Sequence, residues 1–206
     1  MSDGRAFQDG YPEDVAHCYG CGRLNETGIR LRSYWDGEET VARYMPRPEH
    51  TAIPGYVYGG LVASLIDCHG TGSAAAAGSR AAGLDPATEP LLRYVTASLQ
   101  VDYLAPTPMG VELEVRGVIE QVKGRKVVVE ETVSAGESVV ARGRVRRRGA
   151  CARSGRRPRR TARPTPSSPA AGSPRTSRRT PSPGSSARAP RRRCARPPPR
   201  SADRSR

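Results

Sequence analysis

The sequence predicts an α+β fold in which a curved antiparallel sheet wraps around one long central helix. A stretch of helix-forming residues begins near Gly59, and stretches with strand-like alternation lie on both sides of it. Residues 146–206 contain only eight residue types, without an aromatic or a large aliphatic residue, and so cannot bury a core. We therefore expect a lead-in over residues 1–28, one folded domain over 29–145 and a disordered, low-complexity basic tail over 146–206.

The predicted elements are two strands, the helix and four further strands. The first two strands are joined at Asp36-Gly37, a dipeptide typical of hairpin turns. A loop containing proline leads to the helix, and residues 78–90, rich in Gly, Ala, Pro and Asp, predict the loop after it. The strands are predicted, in chain order, at residues 29–35, 40–45, 93–104, 111–122, 126–133 and 138–145.

The net charge of +14 comes from the tail. Residues 1–143 hold 13 Lys and Arg against 19 Asp and Glu, a net charge of −6, whereas residues 144–206 hold 21 Arg and one Asp. Such an arm would attract nucleic acid through counterion release, so a nucleic-acid-binding protein stays open as an alternative. The tail lacks Lys, aromatic residues and periodicity, and its composition is what an out-of-frame reading of a GC-rich gene would give. We expect only non-specific contacts with nucleic acid.

The five cysteines are an odd number, and the chain begins without the basic and apolar regions of a signal peptide. No apolar run is long enough to span a bilayer, so we expect a soluble cytoplasmic protein with reduced thiols. Cys18 and Cys21 with His17 suggest zinc, but a four-ligand site needs a second pair. We favour a metal-free structural role over zinc shared across a dimer, and expect no cofactor. Cys68 and His69 are predicted to be packing residues that point away from Asp67.

Asp67 is the candidate catalytic carboxylate. It lies in the helix beside apolar residues, where an unpaired carboxylate would be costly. Gly60 precedes it by seven residues, two helical turns, so the two residues share a helix face. A glycine amide at a helix N-terminus can stabilise an oxyanion, and a carboxylate can activate water or attack a carbonyl. Together they would supply both halves of acyl-transfer chemistry. From spacing alone, a solvated or hydrogen-bonded structural Asp67 is an equally good interpretation.

Three segments resemble hotdog-fold acyl-CoA thioesterases of the PaaI and thioesterase superfamily member four type. Residues 56–67, Tyr-Val-Tyr-Gly-Gly-Leu-Val-Ala-Ser-Leu-Ile-Asp, resemble the His-Gly-Gly turn, apolar helix and Asp of that family. Residues 96–106, Thr-Ala-Ser-Leu-Gln-Val-Asp-Tyr-Leu-Ala-Pro, are similar to its Thr-Ala-Asn-Leu strand. Residues 18–28, Cys-Tyr-Gly-Cys-Gly-Arg-Leu-Asn-Glu-Thr-Gly, resemble its lead-in. The order and spacing of the three matches extend the resemblance over residues 17–145.

The resemblance implies a homodimer, or a dimer of dimers, that hydrolyses acyl-CoA to a free acid and coenzyme A. It implies that Asp67 is the general base or nucleophile and that the Gly60 amide polarises the thioester carbonyl. It also implies that Thr96 of the partner subunit orients the water or the aspartate. Tyr58 and Gly59 would contact the substrate. Because Tyr58 stands where the family has histidine, a non-catalytic module that binds acyl-CoA or acyl-carrier protein remains the alternative.

Lys123, Arg125 and Lys126 form a compact basic turn between two predicted strands. In hotdog enzymes such a turn can contact the phosphates of coenzyme A. A hydrophilic hairpin tip without a ligand is the interpretation that we slightly favour. We include the three residues as candidate substrate contacts.

Overall fold

The computed structural model describes residues 4–84 and 90–149 of the chain. Within these residues a long helix follows four short strands and precedes four long ones. The strands before the helix are β1 (Ser33–Asp36), β2 (Glu39–Tyr44), β3 (Thr51–Ile53) and β4 (Tyr56–Val57). The helix is α1 (Gly59–Ala81). The later strands are β5 (Tyr94–Tyr103), β6 (Leu113–Lys123), β7 (Lys126–Ala135) and β8 (Ser138–Gly149).

Six of the strands form one sheet in the order β1-β2-β6-β7-β8-β5, and all neighbouring pairs are antiparallel. The short strands β3 and β4 form a separate hairpin within the segment predicted as a loop. The turn predicted at Asp36-Gly37 is confirmed, and Gly37 there has a φ of 64°, which favours glycine. The sheet and the single long helix confirm the predicted α+β hotdog fold.

Helix α1 is buried around most of its circumference, which explains why its sequence is apolar on every face. Its first half packs Leu61, Val62, Leu65 and Ile66 into a core that includes residues of β6, β7 and β8. Its second half is built from glycine, serine and alanine, and residues 74–76 pack against side chains of β5, β7 and the lead-in. The small side chains let the surrounding elements approach the helix closely. No helix in the described ranges is long and apolar enough to cross a lipid bilayer.

Three element ends differ from the prediction by three or more residues. Strand β1 begins at Ser33, four residues after the predicted start at residue 29. The helix continues through residues 78–81, because Gly78 and Ser79 are buried against the fold, and it ends before Gly83, which has a φ of 71°. Strand β8 continues from the predicted end at Val145 to Gly149. Those added residues pair with β7 on one side and β5 on the other, so hydrogen bonding extends the strand into the segment assigned to the tail. The remainder of the predicted tail lies outside the described residues.

His69 is a fully buried packing residue, as predicted. Its Nε2 lies 3.0 Å from Thr40 Oγ1 and its Nδ1 lies 3.0 Å from Ser33 Oγ. Thr40 Oγ1 in turn lies 2.7 Å from Ser73 Oγ. This polar network ties α1 to β1 and β2 within the core. Burial lowers the pKa of His69 to about 4, so the imidazole is neutral in the folded protein at neutral pH.

We predict that the contribution of His69 to the stability of the protein is lost as the pH is lowered from 6.5 to 4. The unfolded chain binds the His69 proton near its ordinary pKa of 6.5, whereas the folded chain binds it only near pH 4. The stabilisation is therefore complete above pH 6.5 and is lost as the pH falls, by roughly 3 kcal/mol in total. Urea unfolding of His69→Gln across this range should show a weaker pH dependence. The exposed His17→Gln should keep the wild-type dependence, and an unchanged slope in His69→Gln would contradict the assignment.

Candidate active site

Asp67 lies in the middle of α1, where its side chain reaches the wall of a cavity of about 590 Å³. Thr71 and Thr96 line the cavity beside it, and much of the remaining wall is apolar, including Val15, Leu91 and Leu92. A cavity of this size is within the range of small-molecule sites. The carboxylate is 36% exposed, so water can reach it.

Thr96 of β5 donates a hydrogen bond from Oγ1 to Asp67 Oδ1 at 2.8 Å. The register of β5 against β8 shifts between Thr96 and Ser98, and such a bulge re-aims side chains. The predicted contact between Thr96 and Asp67 is therefore present. Its predicted origin in the partner subunit is wrong, because both residues belong to the same chain and the edge strand β5 passes directly beside α1.

Arg147 of β8 is the functional residue that the sequence reasoning missed. Its side chain is fully buried, and its Nη1 lies 2.9 Å from Asp67 Oδ1. The same guanidinium donates hydrogen bonds to Thr96 Oγ1 and to the backbone carbonyl of Asp67. Both side-chain contacts of Asp67 involve Oδ1, which leaves Oδ2 to face a water molecule or a carbonyl carbon. The sequence signal was the alternation of β8, which places Val145, Arg147 and Gly149 on one face.

Glu131 of β7 is a second buried acid behind the site. It faces Gly70, one turn after Asp67, where a Cβ on the glycine would lie 2.7 Å from Glu131 Oε2. Neither carboxylate oxygen of Glu131 has a hydrogen-bond partner among the described residues. Burial raises the pKa of Glu131 well above its usual value, and the charge of Arg147 opposes that shift. Arg147 thus interacts electrostatically with two carboxylates, one half-exposed and one buried.

Gly60 and Asp67 do not meet at one cavity within a single chain. Seven residues of helix separate them by about 10 Å along the axis, which is too far for one thioester carbonyl to contact both. The ring of Tyr58 lies over Gly60, since a Cβ there would be 2.3 Å from the ring. The Tyr103 hydroxyl donates to the Gly59 carbonyl at 2.8 Å. The separation along the helix therefore favours a site in which the Gly60 amide and Asp67 come from different chains.

The predicted basic turn joins β6 to β7. Arg125 Nε donates to the Gly149 carbonyl at 2.9 Å, and the side chains of Lys123 and Lys126 are exposed. In the sheet Lys126 pairs with Arg148, next to the pairing of Val127 with Arg147. The turn therefore lies at the end of the sheet that carries Arg147 and Thr96. Tyr58 and Gly59 lie at the opposite end of β5, beside Tyr103.

Three cysteine side chains meet at the edge of the Asp67 cavity. The sulfurs of Cys18, Cys21 and Cys68 all lie within 4.8 Å of one another, and Cys18 Sγ is 3.9 Å from Cys68 Sγ. Hydrogen bonds from the thiols of Cys21 and Cys68 lower the pKa of Cys18 to about 2. The contact with Cys18 raises the pKa of Cys21 to about 12. Cys68 is buried as predicted, but it does not point away from the site, because it lines the same cavity as Asp67. It also contacts the Cys-x-x-Cys pair, which its sequence position did not indicate.

Comparison with known proteins identifies the family. The profile of the Thioesterase superfamily matches residues 54–142. A thioesterase superfamily protein from Shewanella loihica PV-4 is 52% identical, with a TM-score of 0.54, over 70% of this chain and 99% of that one. Acyl-coenzyme A thioesterase THEM4 of Xenopus laevis is 31% identical over 88 residues, which are 42% of this chain and 33% of that protein. This chain thus spans about a third of the length of that curated relative.

A fold relative is the smu.793 protein of Streptococcus mutans UA159, whose structure was determined bound to acetyl CoA. It is 16% identical to this chain, over 62% of this chain and 96% of that one, with a TM-score of 0.50. At this identity the similarity concerns the fold alone. The match to the Shewanella protein goes further, because at 52% identity it covers nearly the whole of that chain. The chain belongs to the thioesterase superfamily.

Proposed function

We propose that the protein is an acyl-CoA thioesterase, which hydrolyses the thioester of acyl-CoA to a free acid and coenzyme A. The observation that carries the proposal is the position of Asp67. Its Oδ1 is fixed by Thr96 and Arg147, and its Oδ2 is left available at a largely apolar cavity. A fixed carboxylate beside a space for an acyl chain is the arrangement that thioester hydrolysis requires.

In the proposed reaction Asp67 acts as a general base or as a nucleophile. As a base, Oδ2 accepts a proton from water while the water oxygen attacks the thioester carbon. The tetrahedral intermediate then expels the coenzyme A thiolate, which takes up the proton. As a nucleophile, Oδ2 forms an acyl anhydride and expels the thiolate, and water then hydrolyses the anhydride. In both routes Arg147 and Thr96 hold the carboxylate in one orientation.

The proposal includes a homodimer, because the oxyanion contact and the carboxylate are separated within one chain. Strand β5 is an edge strand, and its side chains Val95, Leu99 and Tyr103 are 58%, 38% and 54% exposed. An unpaired edge of this length favours pairing with another strand. Antiparallel pairing of two β5 strands, centred between residues 99 and 100, sets Thr96 of one chain opposite the partner's Tyr103.

This pairing completes the proposed site. Thr96 donates a hydrogen bond to Asp67, and Tyr103 donates one to the carbonyl of Gly59 at the start of α1. Two chains paired in this way bring the helix start of one subunit close to the carboxylate of the other. The amide of the partner's Gly60 can then polarise the thioester carbonyl that Asp67 activates for attack. The hydroxyl of the partner's Tyr58 takes the place of the family histidine at the substrate carbonyl.

The basic turn is proposed to contact the phosphates of coenzyme A. Lys123, Arg125 and Lys126 lie at the same end of the sheet as Arg147, and this position supports the proposed contact. The three described cysteines are free thiols, which suits a reducing compartment such as the cytoplasm. Acyl-CoA turnover there would serve fatty acid metabolism.

The test is hydrolysis of a panel of acyl-CoA thioesters that includes short, medium and long aliphatic chains and phenylacetyl-CoA. Release of the coenzyme A thiol is followed with a thiol reagent. We expect multiple turnovers with at least one chain class. The competing function is a module that binds acyl-CoA or acyl-carrier protein without hydrolysis, and the ring of Tyr58 over Gly60 is the observation that favours it. Saturable binding without turnover across the panel would establish that competing function.

A further inference from the structure

We propose that Cys18, Cys21 and Cys68 bind a zinc ion at the edge of the Asp67 cavity. The inference is independent of the proposed hydrolysis, because it rests on the three sulfurs and their surroundings. The Cys-x-x-Cys pair supplies two ligands at a spacing common in zinc sites. The third ligand comes from α1, 47 residues further along the chain, so only the fold brings it to the pair.

The distances suit one zinc ion. Zinc binds thiolate sulfur at about 2.3 Å with tetrahedral geometry, which places two sulfurs on one ion roughly 3.8 Å apart. Cys18 Sγ and Cys68 Sγ are 3.9 Å apart, and all three sulfurs lie within 4.8 Å of one another. Cys21 and Cys68 are buried and Cys18 is exposed, so the ion would lie at the boundary between the core and the cavity.

The loop that carries Cys18 and Cys21 is held in place by backbone hydrogen bonds. The Gly22 amide donates to the Cys18 carbonyl at 2.8 Å, and the Leu31 amide donates to the Gly20 carbonyl at 2.9 Å. Gly20 lies directly against Cys68, and a Cβ at this position would be 2.1 Å from Cys68 Sγ. Only glycine therefore lets the loop approach the helix cysteine. The loop conformation and the lack of a Cβ at Gly20 together leave room for the sulfur of Cys68 beside the Cys-x-x-Cys pair.

A further buried polar group points to a ligand at this place. The Tyr11 hydroxyl is buried and has no hydrogen-bond partner among the described residues. Tyr11 lines the same cavity as the three cysteines and Asp67. A zinc-bound thiolate or a water on the zinc would accept the hydrogen bond that the hydroxyl lacks. Three protein ligands leave one tetrahedral position, and the cavity gives water or a small molecule access to it.

A bound zinc ion would link the lead-in to α1 at Cys68, the residue that follows Asp67. We expect the full-length protein, purified under reducing conditions from zinc-supplemented cells, to contain close to one zinc per chain by mass spectrometry of the metal. Cys68→Ser should lose at least nine tenths of it. The matched control replaces Cys151 and Cys194 with serine and should keep the full content. Equal zinc in Cys68→Ser and the wild type, or loss of zinc only in the control variant, would overturn the proposal.

A second experiment uses only the wild-type protein, so its result does not depend on whether a variant folds. Cobalt(II) is added to the wild-type protein after removal of zinc, and the absorption spectrum reports its ligands. We expect the thiolate charge-transfer band and the intense visible bands of tetrahedral cobalt, which added zinc should abolish. The rate at which an alkylating reagent modifies Cys18, followed by peptide mass spectrometry, should also be lower in the zinc-bound protein than after zinc is removed with a chelator. A spectrum of hydrated cobalt, or alkylation indifferent to zinc, would refute the site whatever the protein does with acyl-CoA.

Discussion

Replacement of Asp67 by Asn is expected to lower kcat for acyl-CoA hydrolysis by at least ~100-fold. An amide of equal size cannot take up a proton from water or attack the thioester carbon, and both proposed routes need one of these steps. The fold should survive, because the amide oxygen can still accept hydrogen bonds from Thr96 and Arg147. Steady-state kinetics on the best substrate of the panel measure the effect, and the melting temperature reports whether the variant is folded.

The matched control is Glu38→Gln, which changes an exposed carboxylate in the turn between β1 and β2, at the sheet edge opposite β5. It should keep kcat within about twofold, since it lies away from the Asp67 cavity. Thr96→Ala should lower kcat by a factor of about 10, because the carboxylate loses one orienting contact but remains in place. Thr96→Ser keeps the hydroxyl and should restore most of the activity. Near wild-type turnover in Asp67→Asn would refute the proposed role of this residue.

The architecture could be predicted because each element carries its own local signal. The helix around Asp67 is apolar on all faces. The later strands alternate between apolar and polar residues, and glycine marks the turns between them, so the periodicity and the turn residues predict the same elements. The element ends were harder to predict, since they depend on partners distant in sequence. Strand β8 continues because β7 and β5 offer hydrogen bonds on both sides, and an arginine-rich sequence gives no sign of this.

The candidate site was predicted only in part, for a similar reason. Asp67 and Thr96 lie on elements with clear sequence signals, and their contact is present in the structure. Arg147 stands in a run of three arginines, where residue type alone does not show which side chain is buried. Cys68 was separated from the Cys-x-x-Cys pair by the whole first hairpin and half of the helix. A contact that joins distant segments cannot be read from spacing within either one.

Arg147→Gln is expected to destabilise the protein by about 3 kcal/mol. The change removes the guanidinium that forms an ion pair with Asp67 Oδ1. It also removes the positive charge that acts on the buried carboxyl of Glu131. Breaking a buried ion pair by removing one partner costs roughly 3–5 kcal/mol, and the lower end applies because Asp67 is 36% exposed. The matched control is Arg148→Gln, on the exposed face of the same strand, which should change the free energy of unfolding by less than about 0.5 kcal/mol.

The same reasoning predicts the effect of shortening the chain. A protein that ends at Val145 loses the last four residues of β8, which include Arg147, and both neighbouring strands lose their hydrogen-bond partners there. It should unfold at a melting temperature at least about 10 °C below that of the full-length chain and hydrolyse acyl-CoA poorly. A protein that ends at Ala150 keeps the complete strand, and we expect it to match the full-length chain in both measurements. If the two shortened proteins are equally stable, or if Arg148→Gln costs as much as Arg147→Gln, then the end of β8 does not support the Asp67 site in the way described.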